Sequence, residues 1–223
     1  MILDLTQTEE NYLKAIFSLS LEASKAVSTN AISEQLATKA SSVTDMVKKL
    51  SEKKLVNYKK YQGVALTVLG REIAVKIIRK HRLWEVFLVK HLDFSWDEVH
   101  DVAEQLEHVK SIKLVKQLDA FLEYPTHDPH GDPIPDADGN IPVHTDLVLA
   151  SLDIGASCII IGVKDTSTSF LKYLDSSGIT LGTEIALLHK EDFDNSMSLQ
   201  MGAKQLSVSH QITKNLLVKK IEL

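Results

Sequence analysis

The sequence predicts a mainly α-helical protein with a small β domain at its C-terminal end. Apolar residues recur with helical spacing over most of residues 8–123, all five prolines fall within residues 124–145, and short β-prone runs follow that tract. At 223 residues the chain exceeds the commonest size of a single domain, so we expect two or three domains.

Three helices and a hairpin are predicted for the first 70 residues. The helices span residues 8–21, 30–38 and 42–53, and a tight turn separates the second from the third. Two β-prone runs then flank a turn at Gln62 and Gly63, which is typical of a hairpin. A helix-turn-helix followed by such a hairpin has the order of elements of a winged helix.

Residues 28–82 carry a strong positive charge. They contain twelve Lys and Arg against four Asp and Glu, a net charge of +8, whereas the whole chain has a net charge of -5. This asymmetry favours nucleic-acid binding by the first part of the chain, and the alternative is a solvated basic face. Short hydroxyl residues near the start of the third helix suit phosphates and base edges, and nearby lysines suit phosphates. The candidate DNA-binding residues are Ser41, Ser42, Thr44, Lys48, Lys49, Lys59 and Lys60.

The rest of the chain is predicted to be helical first and β-rich afterwards. Helices are expected at residues 70–90, 96–109 and 111–123, with Ser95 and Ser111 as suitable N-caps. The proline-rich tract predicts a linker, and the short β runs after it suggest a barrel of SH3-like size. Those runs are residues 146–150, 156–163, 184–189, 197–201 and 204–208, with Ile179 and Leu181 between them. The predicted domains are residues 1–70, 71–124 and 146–223, with a linker at 125–145.

Composition also limits the location of the protein. No apolar run approaches the ~20 residues that a membrane-spanning helix needs, and the acidic N-terminus lacks the pattern of a signal peptide. The only cysteine, Cys158, lies in an apolar run, so we predict a buried thiol and no internal disulfide. These features predict a cytoplasmic protein without a membrane partner.

Acidic residues and histidines share helical faces in the central part of the chain. Four of them share one face of the helix predicted at 96–109, and two more share a face of the preceding helix, because residues three or four apart are neighbours. The helix predicted at 96–109 carries His100, Glu104, Glu107 and His108, and the helix predicted at 70–90 carries His81 and Glu85. Burying several carboxylates together is costly unless a cation neutralises them. Imidazole and carboxylate ligands without a thiolate favour manganese(II) or iron(II), and zinc(II), cobalt(II) or nickel(II) would also bind in vitro.

Two alternatives to a regulatory metal site stay open at this point. The first is a solvated acidic helix face with incidental histidines. The second is a hydrolytic metal centre, because carboxylates and histidines can also activate water. The chain has no HExxH motif, no GxSxG motif and no phosphate-binding glycine loop, and a hydrolase has no evident use for a basic winged helix. We therefore expect a binding protein rather than an enzyme.

The sequence resembles the diphtheria toxin repressor family, and within it the manganese-responsive branch. Residues 8–16, 79–88 and 99–109 carry the resemblance, which extends over nearly the whole chain. It implies a winged helix-turn-helix DNA-binding domain, a helical metal-binding and dimerisation domain, and an SH3-like (FeoA-like) barrel. It also implies a homodimeric repressor, dependent on manganese(II) or else iron(II), which binds an inverted-repeat operator in double-stranded DNA and controls genes for metal-ion uptake. The alternative is a winged-helix regulator that senses a small organic ligand.

The resemblance implies a primary metal site. Glu104, Glu107 and His108 match its ligands on the dimerisation-domain helix, and Asn11 on the first helix matches the fourth ligand. Manganese-responsive members carry Asp at the position of Asn11 and iron-responsive members carry Met, so this chain departs from both. Glu10 is the alternative ligand, although on an ideal helix it points about 100° away from Asn11.

A second metal site is implied as well. The residues that match it are His81, Glu85, His100, Asp128, His130 and Asp165. Relatives carry a cysteine at the position of Asp128, where this chain offers a hard oxygen donor. A metal at this site would attach the SH3-like domain to the helical core. The alternative is that Asp128 and His130 belong to a polar linker.

Overall fold

The chain divides into two compact units, each assembled from three segments. The computed structural model describes residues 4–22, 26–142 and 147–221. Unit 1 comprises Met1–His81, Glu104–Lys116 and Pro135–Ile141, and unit 2 comprises Arg82–Ala103, Gln117–Ile134 and Pro142–Leu223. Within the described ranges, no helix combines the length and the hydropathy that crossing a membrane requires.

Unit 1 contains the predicted helix-turn-helix and hairpin. The elements are α1 (Gln7–Glu22), α2 (Thr29–Gln35), α3 (Ala40–Glu52), β1 (Val56–Lys59) and β2 (Gly63–Leu66). The hydroxyl of Ser28 caps α2 by accepting a hydrogen bond from the amide of Ala31 at 3.0 Å. The two strands pair antiparallel, with Val56 opposite Leu66, so the order of elements is that of a winged helix.

The core of unit 1 lies between α1, α3 and the hairpin. Apolar side chains recur every three or four residues along α1 and α3, so each helix turns one apolar face inward. The side chains at most 1% exposed include Leu13, Ile16 and Phe17 of α1 and Val43, Val47 and Leu50 of α3. Burying one such side chain stabilises the fold by about 1.5–3 kcal/mol, so this core holds α1 firmly against the helix-turn-helix.

A buried carboxylate also joins α1 to α3. The side chain of Glu9 is fully buried, and its Oε1 lies 2.6 Å from Nζ of Lys53 and 3.3 Å from Nζ of Lys49. Its Oε2 accepts a hydrogen bond from the amide of Thr6 at 2.9 Å, which caps the start of α1. Burial by itself raises the pKa of Glu9, but the hydrogen bonds from Lys53 and Thr6 outweigh burial and lower the pKa to about 2.

We expect Glu9→Gln to destabilise the protein at neutral pH and to have little effect near pH 2. The pKa of Glu9 lies below its ordinary value of 4.5. The ionised group therefore stabilises the fold above about pH 4.5, and this contribution is lost as the pH falls towards 2. The loss at neutral pH should be on the order of 1–2 kcal/mol, because partly exposed lysines are screened by water. Urea unfolding of both proteins across this pH range measures the effect, and a difference that does not change with pH would contradict it.

The central helices begin and end close to the predicted positions, with one exception. They are α4 (Val68–His91), α5 (Val99–Leu106) and α6 (Ile112–Phe121). The helix predicted at 96–109 was too long at both ends, and Glu107 and His108 lie in a turn after α5. The amide of Val109 bonds to the carbonyl of Leu106 at 3.1 Å, which closes this turn. Apolar periodicity continues through such a tight turn, so it does not indicate where the regular helix ends.

Unit 2 contains the predicted small β domain as a five-stranded antiparallel sheet. Its strands are β3 (Ser157–Val163), β4 (Glu184–Lys190), β5 (Met197–Met201), β6 (Lys204–Val208) and β7 (Leu216–Lys220). Their order in the sheet is β6-β5-β4-β3-β7. Two helices accompany the sheet, α7 (Thr168–Ser177) and α8 (His210–Thr213). The apolar core includes Phe170, Leu171 and Leu174 of α7 together with Cys158 of β3, which is buried as predicted.

Parts of this domain differ from the sequence prediction. Leu149–Ser151 form one turn of 3-10 helix where residues 146–150 were predicted as a strand, and residue 146 lies outside the described ranges. Ile179 and Leu181 lie in a loop. Neither α7 nor β7 was predicted. The start of α7 is rich in Ser and Thr, which favour caps and turns over helix interiors, so tertiary packing of its apolar face decides its structure.

Candidate metal centre

Glu107 is the most deeply buried carboxylate of a charged cluster in unit 1. It is 0% exposed, its Oε2 accepts a hydrogen bond from Nζ of Lys14 at 2.7 Å, and the same oxygen lies 2.6 Å from Nδ1 of His81. Burial raises the pKa of this carboxyl, but the hydrogen bond from His81 and the charge of Lys14 outweigh burial and lower the pKa. Glu107 is therefore a buried anion at neutral pH.

His108 joins the same cluster from the turn after α5. Its Nδ1 lies 2.6 Å from Oε2 of Glu10 on α1, and its Nε2 lies 3.9 Å from Oε1 of Glu107. A carboxylate at Nδ1 holds the ring proton there and leaves the Nε2 lone pair available to a ligand. Glu10, predicted only as an alternative ligand, thus contacts His108 directly despite its angular offset from Asn11.

The buried oxygens of unit 1 without a hydrogen-bond partner among the described residues include Oε1 of Glu107 and, next to Glu10 in the sequence of α1, Oδ1 of Asn11. Leaving a buried acceptor unpaired costs about 1–3 kcal/mol, so these atoms favour a cation. A carboxylate, an amide oxygen and an imidazole, without a thiolate, form a donor set that fits manganese(II) or iron(II). Glu104 is more accessible, with its side chain 42% exposed and its Oε1 3.9 Å from Nζ of Lys14.

A second cluster of possible ligands lies in unit 2. Glu85 of α4 and Asp128 and His130 of the linker each offer one ligand atom, and these atoms lie within 4.8 Å of one another. Nδ1 of His130 is 3.8 Å from Oε1 of Glu85 and 4.0 Å from Oδ1 of Asp128. His100, whose side chain is 57% exposed, lies 3.5 Å from Glu85. Because Glu85, Asp128 and His130 are all buried, a cation suits them better than the alternative of a solvated polar linker.

The backbone around Asp128 orients both linker side chains. Oδ1 of Asp128 accepts hydrogen bonds from the amides of His130 at 2.8 Å and Asp132 at 3.0 Å. Nε2 of His130 lies 2.7 Å from the carbonyl oxygen of Trp96, which can only accept, so Nε2 carries the ring proton. Nδ1 therefore presents its lone pair to Glu85 and Asp128, an arrangement typical of metal-binding histidines. Burial and the charge of Glu85 raise the pKa of Asp128 well above its usual value.

Sequence reasoning missed several residues that support these clusters. Arg82 donates to the carbonyl of Pro133 at 2.6 Å and to Asp132 at 2.9 Å, and Trp96 holds His130. These contacts join residues 34 to 51 positions apart, so no local pattern indicates them. Lys14 could have been found, because it lies three residues after Asn11 and shares its face of α1.

Two further residues predicted for the second site have other contacts. His81 belongs to unit 1, where it contacts Glu107. Asp165 lies in the loop after β3, where its Oδ1 accepts a hydrogen bond from the amide of Ser167 at 2.9 Å. Among the described residues of unit 2, the group within 4.8 Å of one another does not include Asp165. The role of both residues as ligands stays a prediction.

The predicted DNA-binding residues lie on α3, at its N-terminal end and on the hairpin. Six of them are exposed: Ser41, Ser42, Lys48, Lys49, Lys59 and Lys60. Thr44 is half-buried, and its hydroxyl donates to the carbonyl of Ala40 at 3.0 Å. Lys49 is 52% exposed but lies 3.3 Å from Glu9, so its charge is already partly neutralised. The exposed lysines leave a basic surface on unit 1 that suits a polyanion.

Three known families match successive parts of the chain. Residues 4–64 match the N-terminal DNA-binding domain of iron-dependent repressors, and residues 67–136 match their metal-binding and dimerisation domain. Residues 147–220 match the FeoA domain.

Individual proteins of known structure and curated relatives resemble the chain as well. A manganese-dependent transcriptional repressor, solved in complex with manganese, is 33% identical, with a TM-score of 0.84 over 96% of this chain and 100% of that one. The manganese regulator SloR is 34% identical, with a TM-score of 0.75 over 97% of this chain and 100% of its own. The iron-dependent repressor IdeR of Mycobacterium leprae is 35% identical over 132 residues, which span 59% of this chain and 57% of that repressor.

Proposed function

This chain belongs to the diphtheria toxin repressor family of metal-responsive, DNA-binding transcription repressors, and from this premise we propose that manganese(II) is its corepressor. Carboxylate, imidazole and amide donors suit manganese(II) and iron(II), and the only cysteine is buried in the core of the β domain. Iron(II) is the second candidate. Zinc(II), cobalt(II) and nickel(II) should bind in vitro, because affinity for such sites follows the Irving–Williams order rather than biological use.

The proposed primary centre consists of Asn11, Glu104, Glu107 and His108. The observation that carries this proposal is the pair of buried oxygens without hydrogen-bond partners, on Glu107 and Asn11. Glu10 acts on the centre through His108, because its contact with Nδ1 at 2.6 Å aims Nε2 towards Glu107. A bound divalent cation would supply the positive charge that neutralises these carboxylates.

We assign a second centre to Glu85, Asp128 and His130, with His100 on its exposed side. His81 and Asp165 remain further candidates for this centre. The carbonyl of His130 accepts a hydrogen bond from the amide of Val163 on β3 at 2.9 Å, so the linker is attached to the β domain at the same residue. An occupied second centre would therefore hold the linker, the β domain and α4 together within unit 2.

The primary centre would control DNA binding through α1. Glu10 and Asn11 lie on α1, and the apolar residues of the same helix pack against the helix-turn-helix. Residues that hold α1 against the turn after α5 therefore orient the DNA-binding module. In a dimer, two modules must match major-groove half-sites about 34–36 Å apart. If the metal favours that arrangement, DNA and metal must raise each other's affinity by the same factor.

Contacts to DNA are proposed for the basic surface of unit 1. Lys48, Lys59 and Lys60 are exposed and would bind phosphates, with Lys49 as a weaker contributor because Glu9 holds it. The hydroxyl groups near the start of α3 would contact phosphates and base edges. They belong to Ser41, Ser42 and Thr44.

The homodimer is proposed to form through the region matched as a dimerisation domain. Several large apolar side chains within residues 67–136 are exposed, as expected for a surface that a partner covers. They include Leu92, Ile112, Leu114, Phe121 and Tyr124, between 41% and 70% exposed. Since a two-fold symmetric dimer reads two equal half-sites, we propose an inverted-repeat operator.

The biological role follows from metal-dependent repression. A repressor that requires its metal to bind DNA represses its target genes when that metal is plentiful. Because a cell with enough metal needs no further uptake, we propose that these genes serve metal-ion uptake. We also propose that the protein acts in the cytoplasm, where its operator lies, and that it has no catalytic activity, in keeping with a family of repressors.

The test is a fluorescence-anisotropy titration of the full chain with a duplex selected from random sequences in the presence of manganese(II). We expect manganese(II) to raise DNA affinity about 5- to 150-fold over chelator-treated protein, and added salt to weaken binding steeply. The same titration with iron(II) and with zinc(II) ranks the three metals by how much each raises the DNA affinity. Equal affinity in chelator would overturn the metal mechanism and favour the small-organic-ligand alternative.

A further inference from the structure

A lysine of this chain lies inside the proposed primary centre. Nζ of Lys14 is 2.7 Å from Oε2 of Glu107 and 3.9 Å from Oε1 of Glu104. The Lys14 side chain is only 18% exposed, and its partner Glu107 is fully buried. Lys14 follows Glu10 and Asn11 by four and three residues, so all three share one face of α1. The ammonium group thus contacts two of the residues that the metal would use.

Lys14 and a metal ion are both positively charged, so they would repel each other at this centre. Glu10, Glu104 and Glu107 bring three carboxylates into the cluster, and Lys14 neutralises one of their charges by direct contact. An ammonium on Oε2 of Glu107 neutralises part of the charge that a metal at the unpaired Oε1 would use, and it repels an approaching divalent cation. Lys14 must therefore weaken metal binding unless it moves away.

Other cations of unit 1 do not duplicate this contact. Lys80 is half-buried nearby, but its Nζ donates to the carbonyl oxygen of Val109 at 3.5 Å. Lys49 and Lys53 pair with Glu9. His81 shares Oε2 of Glu107 with Lys14 through its Nδ1. Among the described side chains, Lys14 is the ammonium group that contacts Glu107.

We propose that Lys14 is an internal competitor for the corepressor metal, and that its ion pairs with Glu107 and Glu104 set the metal concentration at which the repressor becomes active. This inference rests on the proposed primary centre. Without metal, Lys14 compensates the buried charge of Glu107 and keeps the cluster stable. With metal, Lys14 leaves Glu107 and turns towards solvent.

The test is calorimetric titration of the full chain with manganese(II), which measures metal affinity without DNA. Lys14→Met keeps the length of the side chain and removes its charge, and we expect it to bind manganese(II) at least ~10-fold more tightly. Lys14→Arg keeps the charge and should bind as wild type does, within ~3-fold. Lys80→Met removes the same charge from a lysine that does not contact Glu107, so it should change the metal affinity by less than Lys14→Met does. The heat of metal binding at the primary centre in unit 1 is identified as the part of the titration that is lost in Glu107→Gln.

A second measurement needs no variant. Acylation of lysines by a limiting reagent, read by mass spectrometry, should modify Lys14 faster once manganese(II) is added, while the exposed Lys48 reacts at an unchanged rate. The proposal is overturned if Lys14→Met binds no more tightly than wild type, if Lys80→Met has the same effect, or if the metal leaves the reactivity of Lys14 unchanged. Failure of wild-type protein to bind manganese(II) would instead overturn the primary centre itself, and this inference with it.

Discussion

Glu107→Gln is expected to abolish metal-stimulated DNA binding and to weaken metal binding at the primary centre by about 100-fold or more. Changing residues that merely support metal ligands typically costs 10- to 100-fold in affinity, and the loss of a buried anionic ligand should cost at least as much. The glutamine keeps one oxygen that can accept a hydrogen bond from Lys14, but it removes the negative charge from the buried position. We therefore expect the variant to fold and to lose its response to manganese(II).

The measurements for Glu107→Gln are calorimetric titration with manganese(II) and DNA binding with and without the metal. Circular dichroism of the metal-free variant checks that it folds. Glu184→Gln is the matched control, because it makes the same chemical change at an exposed position on β4 and should behave as wild type. If Glu107→Gln kept the full effect of manganese(II) on DNA binding, Glu107 would not be a ligand.

Gly131→Ala is expected to destabilise the protein by about 2–5 kcal/mol, through backbone strain and overpacking together. Gly131 has a φ of 88°, a conformation that residues with a Cβ rarely adopt. An added Cβ would lie 2.2 Å from the carbonyl oxygen of Ile161 and 2.4 Å from Cα of Gly162, so backbone would have to move. His130 precedes this glycine, and its carbonyl bonds to Val163, so the change should also weaken metal binding at the second centre.

Gly155→Ala separates strain from steric overlap. Gly155 has a φ of 87°, nearly the same as Gly131, but an added Cβ would meet no atom within 4 Å. We expect it to cost only about 1 kcal/mol. Urea unfolding of both variants, with and without manganese(II), gives the comparison. Equal losses in the two variants would mean that the close approach of Gly131 to β3 is unimportant for stability.

The site was predictable where its residues share one local element. Spacing along the chain placed His81 and Glu85 on one helix, and α4 contains both. The same reasoning failed at the end of α5, because hydrophobic periodicity cannot detect the tight turn that carries Glu107 and His108. That turn brings His108 into contact with Glu10. The sequence had indicated Glu10 only as an alternative ligand, because on an ideal helix it points away from Asn11.

The sequence by itself determined the order of the elements from α1 to α6, the positive charge of residues 28–82, and the family, because these depend on local periodicity, charge and motifs. Only the tertiary structure decided which groups meet. Glu10 and His108 are 98 positions apart, and Lys14 and Glu107 are 93 apart. Such pairs form where the apolar faces of distant helices pack, and burial then selects the partners that leave the fewest charges and polar atoms uncompensated. The packing of α7 in the β domain follows from the same requirement to bury apolar faces.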